Sequence, residues 1–488
     1  MRKYLKLISM CLVLASLTTV LSSCGKDGVF GKLFGKKDDV PTIVWYMRSP
    51  VADMSQQAKV EEAANKIIEP KIGAKLQFKF IEAAAWEEKK NMLVSTGGEY
   101  DIIFEAGDTF VNNAQRGAYL DIRPYMNDKI MPEIMKRNDQ FVWDAVTFPD
   151  GGVYAIPAET FYVPYTSYAF KADIVDKYNF DVASVKTYQD LVPLLEEVKK
   201  NEKGMYGLID LPKLQSTKYI PTTHKNVYFD IENDKFIASI DSPDEVEYWK
   251  TVKSFVDKGY MPKDAGTKEV NSEIKSGKYA VFQGQMSAEK SSARHGFPCY
   301  ENEPQFGYIS RTNVTNALAC ISATTKNPEK ALKLLNLIWE DRELSNLLAF
   351  GIEGEDYKVT RDPGKDTRYI DANDGNNVKW AIWHNWLGPL WDQWDSDWNS
   401  TESLVYRQNV NKEAEKSPII GFLPDLSKLK NEQALVSAEN EKWEKQFKYA
   451  SYSNYDSKYK EMKKAYTDAG LYKIVDEFNK QYKEWKKK

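Results

Sequence analysis

Six of the chain's 13 tryptophans fall in one stretch: Trp380, Trp383, Trp386, Trp391, Trp394 and Trp398, interleaved with Asn385, Asp392, Gln393 and Asp395. An indole presents a flat apolar face and a single N–H donor, so it suits a surface that is partly dry and partly polar. A sugar ring is a matching guest, with C–H groups on its faces and hydroxyls round its rim. Amide and carboxylate side chains beside the indoles could hold those hydroxyls. The competing account is core packing, because tryptophan is highly buried on average. Two or three of the six at a ligand surface is the expectation, since pockets combine aromatic walls with few polar groups.

Catalysis is the alternative use of so many polar residues. A glycosidase needs two carboxylates at a set separation with pKa values pushed apart. Acids are plentiful at 71, but sequence does not pair them, and a cell-surface carbohydrate-active enzyme stands as the rival. No nucleophile elbow, P-loop, dinucleotide fingerprint or zinc motif occurs. Asp371-Ala372-Asn373-Asp374-Gly375 hints at a calcium loop, yet the spacing puts Asn376 and Ile382 where Gly and Glu are needed. His224, His295 and His384 lie far apart, which argues against a histidine-rich metal site. No catalytic residue, metal or cofactor is expected, and no basic block advertises nucleic acid.

A chain of 488 residues suggests two or more domains. Residues 1–6 are basic and 7–21 apolar, the length of a signal segment rather than a membrane span. Leu21-Ser22-Ser23-Cys24-Gly25 resembles the lipobox of bacterial lipoproteins, in which the cysteine is lipidated and becomes the new N-terminus. Residues 25–40, rich in Gly, Lys and Asp, read as a tether. Loss of Arg2, Lys3 and Lys6 with the leader takes the net charge from −4 to −7. Cys299 and Cys320 then remain; an oxidising location permits a disulfide, and buried free thiols are the equally ordinary outcome.

Strands are expected at 42–46, 75–81 and 100–105, alternating with helices at 53–68 and 84–94, which indicates a parallel α/β sheet. Ligands of such sheets sit beyond the carboxyl ends of strands, here near Trp45 and between Glu105 and Thr109. Pro328 opens a helix without strain, with Ala331, Leu334, Leu335, Ile338 and Trp339 as its apolar stripe. A second helix runs over 344–350. Charged amphipathic helices are expected at 425–447 and 459–485.

Asp101-Ile102-Ile103-Phe104-Glu105-Ala106-Gly107-Asp108 with Ala114-Gln115-Arg116-Gly117-Ala118-Tyr119-Leu120-Asp121-Ile122 resembles the third strand and helix of maltose-type extracellular solute-binding proteins. Asp150-Gly151-Gly152-Val153-Tyr154-Ala155-Ile156-Pro157 resembles the family's approach to its first crossover. Gly277-Lys278-Tyr279-Ala280-Val281-Phe282 and Lys326-Asn327-Pro328-Glu329-Lys330-Ala331 continue the likeness in order. The tail, with Ser417-Pro418-Ile419-Ile420-Gly421-Phe422, is similar to a lipoprotein subgroup carrying a helical C-terminal extension. The resemblance implies a hinged, two-lobed α/β fold of the type II periplasmic-binding-protein kind. It implies a leader over 1–23, a tether over 24–40, one lobe from 41–157 and 310–356, a second from 158–309 and 357–412, and the extension over 413–488.

It further implies a monomeric receptor of an ABC importer on the extracytoplasmic face of the cell membrane, held by lipid alone. Its partners would be an oligosaccharide, or a peptide or other small polar solute, and the permease transmembrane subunits. By resemblance Glu105, Asp108 and Thr109 contact ligand hydroxyls, and Glu159 lies near a family carboxylate that faces the ligand. Gln283, Gln285 and Ser287 follow the family's signature strand. The stacking aromatic the family often has near Ser287 is absent, so Trp383, Trp386 and Trp391 are its replacements, with Trp45 and Trp86 from the other lobe. Tyr162, Tyr165 and Tyr300 are weaker candidates, since a tyrosine is more often core or rim than contact, and Arg48 could clamp an acidic sugar but is better explained as a surface arginine.

Overall fold

Ile43, Trp45 and Met47 are buried alternately along β1 (Thr42–Arg48), the period of a strand with one face in a core. In the computed structural model β1 lies between β2 (Lys75–Ile81) and β3 (Ile102–Glu105), parallel to β3 with Trp45 opposite Ile102. Every residue of β3 is buried, as a central strand covered on both faces requires. β13 (Leu318–Ile321) runs antiparallel to β3 and to β4 (Ile156–Pro157), giving the order β2-β1-β3-β13-β4. The sheet is therefore mixed rather than all-parallel. The chain leaves through β4, builds a second core, and re-enters β13 from the opposite end, without the crossover helix that parallel pairing needs. The helices Gln57–Ile72, Trp86–Ser95, Pro328–Glu340 and Arg342–Phe350 flank this sheet.

The structure describes residues 40–361, 369–371, 378–396 and 399–487, and Ile43–Lys488 is one compact unit. Residues 1–39, with the leader, Cys24 and all but the last residue of the tether, residues 372–375 of the calcium-like loop, and Trp398 lie outside the described residues. No described helix is long and apolar enough to cross a membrane.

The second core forms around β6 (Tyr168–Lys171), antiparallel to both β10 (Val281–Gln283) and β11 (Cys299–Glu301). Phe170, Leu191, Leu195, Val252 and Phe255 fill it. Beside it β5 (Tyr165–Thr166) pairs with β12 (Gln305–Phe306). The meander β7 (Tyr219–Pro221), β8 (Val227–Asp230) and β9 (Lys235–Ala238) stands apart. The C-terminal helices cover it, with Phe236 meeting Phe422, Phe478 and Tyr482 at 5.1–5.3 Å. The expected helix over 459–485 is two, Tyr455–Asp468 and Leu471–Trp485. Gly470 takes φ +90° between them, a left-handed turn that ends a helix.

A small sheet of β14 (Lys358–Arg361), β15 (Tyr369–Asp371) and β16 (Asp395–Ser396) completes the strands. Between its second and third strands the tryptophan segment departs from expectation. Trp380, Ile382 and Leu387 join the first core, not the second, because Trp380 wedges against Phe78 and Phe80 and donates its Nε1–H to the Leu348 carbonyl at 2.9 Å. Cys299 and Cys320 are buried free thiols in separate apolar clusters; burial pushes Cys299 up to about 11 and raises Cys320 well above the ordinary thiol value.

Candidate functional site

The tryptophans divide into core and surface. Trp380 and Trp394 are buried, the latter against Tyr357 and Phe350. Trp383 is 61% exposed, while Trp386 and Trp391 are half-buried. The short helix His384–Leu387 turns His384 and Leu387 inward. Trp383 precedes that helix in extended conformation, and Trp386 lies within it, packed partly on the first core. Trp386 lies on Phe104 at 4.9 Å, so its indole sits beside the carboxyl end of β3, where α/β sheets take ligands.

Two other indoles do not reach this surface. Trp45 has no exposed area and tilts against Phe78 at 5.5 Å; its alternation along β1 points it inward. Trp86 is 4% exposed and backs Phe104 at 6.3 Å. A ring without an open face cannot stack on a solute, so both are core residues in this structure.

Glu105 closes β3 with 0% exposure and a full set of partners. Lys90 Nζ donates to it at 2.6 Å, Asn113 Nδ2 at 2.8 Å and the Thr109 hydroxyl at 2.9 Å, and the Tyr119 hydroxyl completes the shell. Its oxygens are spent inside the protein. It anchors the platform under Phe104 instead of touching solute. Thr109 is half-buried and also accepts from Lys90 at 3.0 Å. The Asp108 side chain lies outside the described residues, although its backbone opens the helix Gly107–Gln115.

Glu159 is likewise taken. Arg137 grips it through Nε at 2.9 Å and through Nη2. The same guanidinium donates to Asp392 Oδ2 at 2.7 Å and the Trp339 carbonyl at 2.9 Å. Burial pushes the Glu159 carboxyl up to about 7 while Arg137 pulls it down. The Glu159 N–H donates to the Gly388 carbonyl at 2.8 Å. This cluster fastens the first crossover to the tryptophan segment. Sequence reading missed Arg137, whose helix Pro132–Arg137 carries no ligand-like pattern.

The second core contributes a polar loop after β10. Gln283 and Gln285 are half-buried there, Gln285 Nε2 donating to the Gly284 carbonyl at 3.0 Å. Glu301 organises the loop, accepting from Ser167 Oγ at 2.6 Å, Ser291 Oγ at 2.7 Å and the Gln285 N–H at 3.2 Å. A Cβ at Gly284 would meet the side chains of Glu301 and Ser167 at 2.4 Å, so a larger residue there would displace the Glu301 network. Met286 takes φ +68°, a strained conformation that concentrates at functional sites. Ser287 caps the next helix by accepting from the Lys290 N–H at 3.1 Å. Lys290, pulled down to about 8 by burial and by Arg407, donates to Ser403 at 2.8 Å, tying the loop to the helix Thr401–Glu413. Tyr165 feels Arg407, Glu301 and Arg294 electrostatically and belongs to the same neighbourhood. Tyr162 is buried and donates to the Ala158 carbonyl at 2.6 Å; Tyr300 and Arg48 are exposed.

Half-open indoles, hydroxyls and amides can hold a neutral polar solute by stacking and hydrogen bonding. Among the described residues no cluster of His, Cys, Asp and Glu could hold a metal ion. Residues 418–487 match a domain of unknown function, DUF3502. A carbohydrate ABC transporter substrate-binding protein of Streptococcus pneumoniae serotype 4 (strain ATCC BAA-334 / TIGR4) is 25% identical, over 97% of this chain and 96% of its own. The fold is similar to the crystal structure of the N-glycan transport solute binding protein NgtS from Streptococcus pneumoniae, with TM-score 0.76, 23% identity, and 91% and 98% of the two chains covered. It is also similar to an HMO-binding, ABC-transporter-associated solute binding protein of Bifidobacterium longum infantis ATCC 15697, with TM-score 0.63, 16% identity, and coverage of 91% and 99%. Residues 73–346, more than half of the 488, match the model of the bacterial extracellular solute-binding proteins, and the chain belongs to that family of two-lobed α/β binding proteins.

Proposed function

We propose that this protein is a lipid-anchored receptor that captures an oligosaccharide and delivers it, unaltered, to the permease of an ABC importer. The open face of Trp383, three residues before the half-buried Trp386 that lies on Phe104 of β3, carries the reading. Trp391, Thr109 and Asp108 would border the guest from the first core, and Gln283 and Gln285 from the second. The names of the relatives support a carbohydrate over a peptide. The basic start, apolar run and Cys24 support export and lipidation. A monomer is sufficient for this role. Ligand that touches both lobes stabilises their closed arrangement, and only such differential contact shifts a hinge equilibrium. The closed form is what the permease would recognise.

The test uses the chain from Gly25 onward, which retains the compact unit Ile43–Lys488. Neutral oligosaccharides and peptides are screened by thermal shift, because a guest that binds only the folded state raises its apparent stability. The reading expects saturable stabilisation by an oligosaccharide and no new reducing ends after incubation. Stabilisation by peptides alone, or the appearance of reducing ends, contradicts it.

A further inference from the structure

A cavity of about 580 Å³ shares no lining residue with the indole surface. Four parts of the chain wall it, one of them the loop of residues 423–427. The end of the helix Gly107–Gln115 brings Gln115 and Arg116, the turn before β8 brings Lys225, and the C-terminal helix Lys430–Lys448 brings Lys430 and Gln433. Asn226 and Asn440, also in its lining, tie that turn to that helix. Their amides exchange hydrogen bonds of 2.7 and 2.8 Å, and the Tyr466 hydroxyl donates to Asn440 Oδ1 at 2.8 Å. The volume is that of a small-molecule site, but such sites are usually mostly apolar. This one sets amides, hydroxyls and cations beside Val111, Leu423, Leu426 and Val436, which suits a guest with both polar groups and C–H faces.

Its charge is one-sided. The chain has 71 acids against 67 lysines and arginines, yet the cavity is lined by Arg116, Lys225 and Lys430 and by no carboxylate. Lys225 shares its charge with Glu444 at 2.9 Å; Arg116 and Lys430 make no ion pair among the described residues. His224, held down to about 4 by burial, lines the space as a neutral imidazole. A small recess adjoins the cavity through their common walls Thr223 and Pro424 and reaches Arg311. Arg311 is 4% exposed. Its Nη2 donates to the carbonyls of Asp144 and Thr147 at 3.3 and 3.0 Å, while Nε and Nη1 have no partner among the described residues. A buried cation hydrogen-bonded to carbonyls, and only partly offset by the Asp144 charge, adds to the positive field behind the cavity.

We infer that this cavity binds a carboxylate-bearing sugar, with the C-terminal domain of unknown function supplying one wall. A guanidinium such as Arg116 matches a carboxylate in a two-pronged hydrogen bond, and Lys430 adds a point charge. The amides of Asn112 and Gln115, rather than the mutually bonded Asn226 and Asn440, take the hydroxyls. A bare inorganic anion would use the charge and leave the amides idle, so an acidic saccharide fits the lining better. The inference is independent of the indole surface and assigns the cavity a separate guest.

The chain from Gly25 onward is titrated calorimetrically, at low ionic strength, with sialyllactose, a glucuronic-acid-terminated disaccharide, their carboxyl-amidated forms, and inorganic phosphate. At least one acidic sugar binds about tenfold or more tightly than its amidated form, the scale of one good charged contact. Arg116→Gln and Lys430→Gln, both at exposed side chains, each remove most of that preference, and Trp383→Ala leaves it unchanged. Equal affinity for acid and amide overturns the inference. So does a preference that survives both substitutions, phosphate competing as well as the sugar, or no binding of either acidic sugar. Loss of neutral-oligosaccharide binding in Trp383→Ala reports on the indole surface alone, so the two readings fail separately.

Discussion

Lys90 and Glu105 lie at 1% and 0% exposure and 2.6 Å apart, an ion pair with neither side chain open to water. Removing one partner of a buried pair leaves the other charge without solvent or counter-ion, at a cost of about 3–5 kcal/mol. Lys90→Met is therefore expected to destabilise the protein by about that much in urea denaturation, and adding Glu105→Leu to recover most of it. Equal stability of Lys90→Met and the parent chain would show the pair to be solvated. Glu105 was legible as a strand-end carboxylate, and its placement at the end of β3 held; its role did not. The partner that consumes it sits in Trp86-Glu87-Glu88-Lys89-Lys90, a run that reads as a solvated helix face. Only the packing of that helix on β3 turns the second lysine of the pair inward. In the same way the alternation along β1 already contained the burial of Trp45, since Ile43 and Met47 share its face.

At the level of elements, the tryptophan segment owes its place to Arg137, which joins Glu159 of the first crossover to Asp392. Arg137→Ala strands two partly buried carboxylates, an effect on the order of 2–3 kcal/mol, below the fully buried case because Asp392 retains 23% side-chain exposure. Stability and oligosaccharide affinity are expected to fall together in this variant, by calorimetry and thermal melting. An unchanged affinity would separate the crossover cluster from the binding surface. Strand and helix positions in the first 105 residues were readable from hydrophobic period, and β2 matched at both ends. The membership of the tryptophan segment in the first core was not, because a run of indoles has no period that names its partner. The break at Gly470 carried a signal, a lone glycine in an amphipathic helix, which is tolerated often enough to be read through.

For the whole molecule, the three histidines act in one direction. Burial lowers His224 and His295 to about 4 and His384 to about 3. Between about pH 4 and 6.5 the unfolded chain therefore binds protons that the folded protein does not, and stability falls as pH falls through that window. His384, the most deeply buried, contributes about 1.4 kcal/mol per pH unit there. Glu159, raised to about 7, works in the opposite sense with a single proton. The melting temperature is thus expected to be lower at pH 5 than at pH 7.5, and a flat profile would mean that the imidazoles are hydrated.

The receptor account rests on indoles that meet the guest directly. Its most direct test is a calorimetric titration of the parent chain and of Trp383→Ala/Trp386→Ala with an oligosaccharide that stabilises the parent. Stacking faces are worth roughly 1–3 kcal/mol each by analogy with base stacking on aromatic side chains, so the double variant is expected to bind at least about tenfold more weakly while remaining folded. Undiminished affinity in a folded double variant would contradict the account.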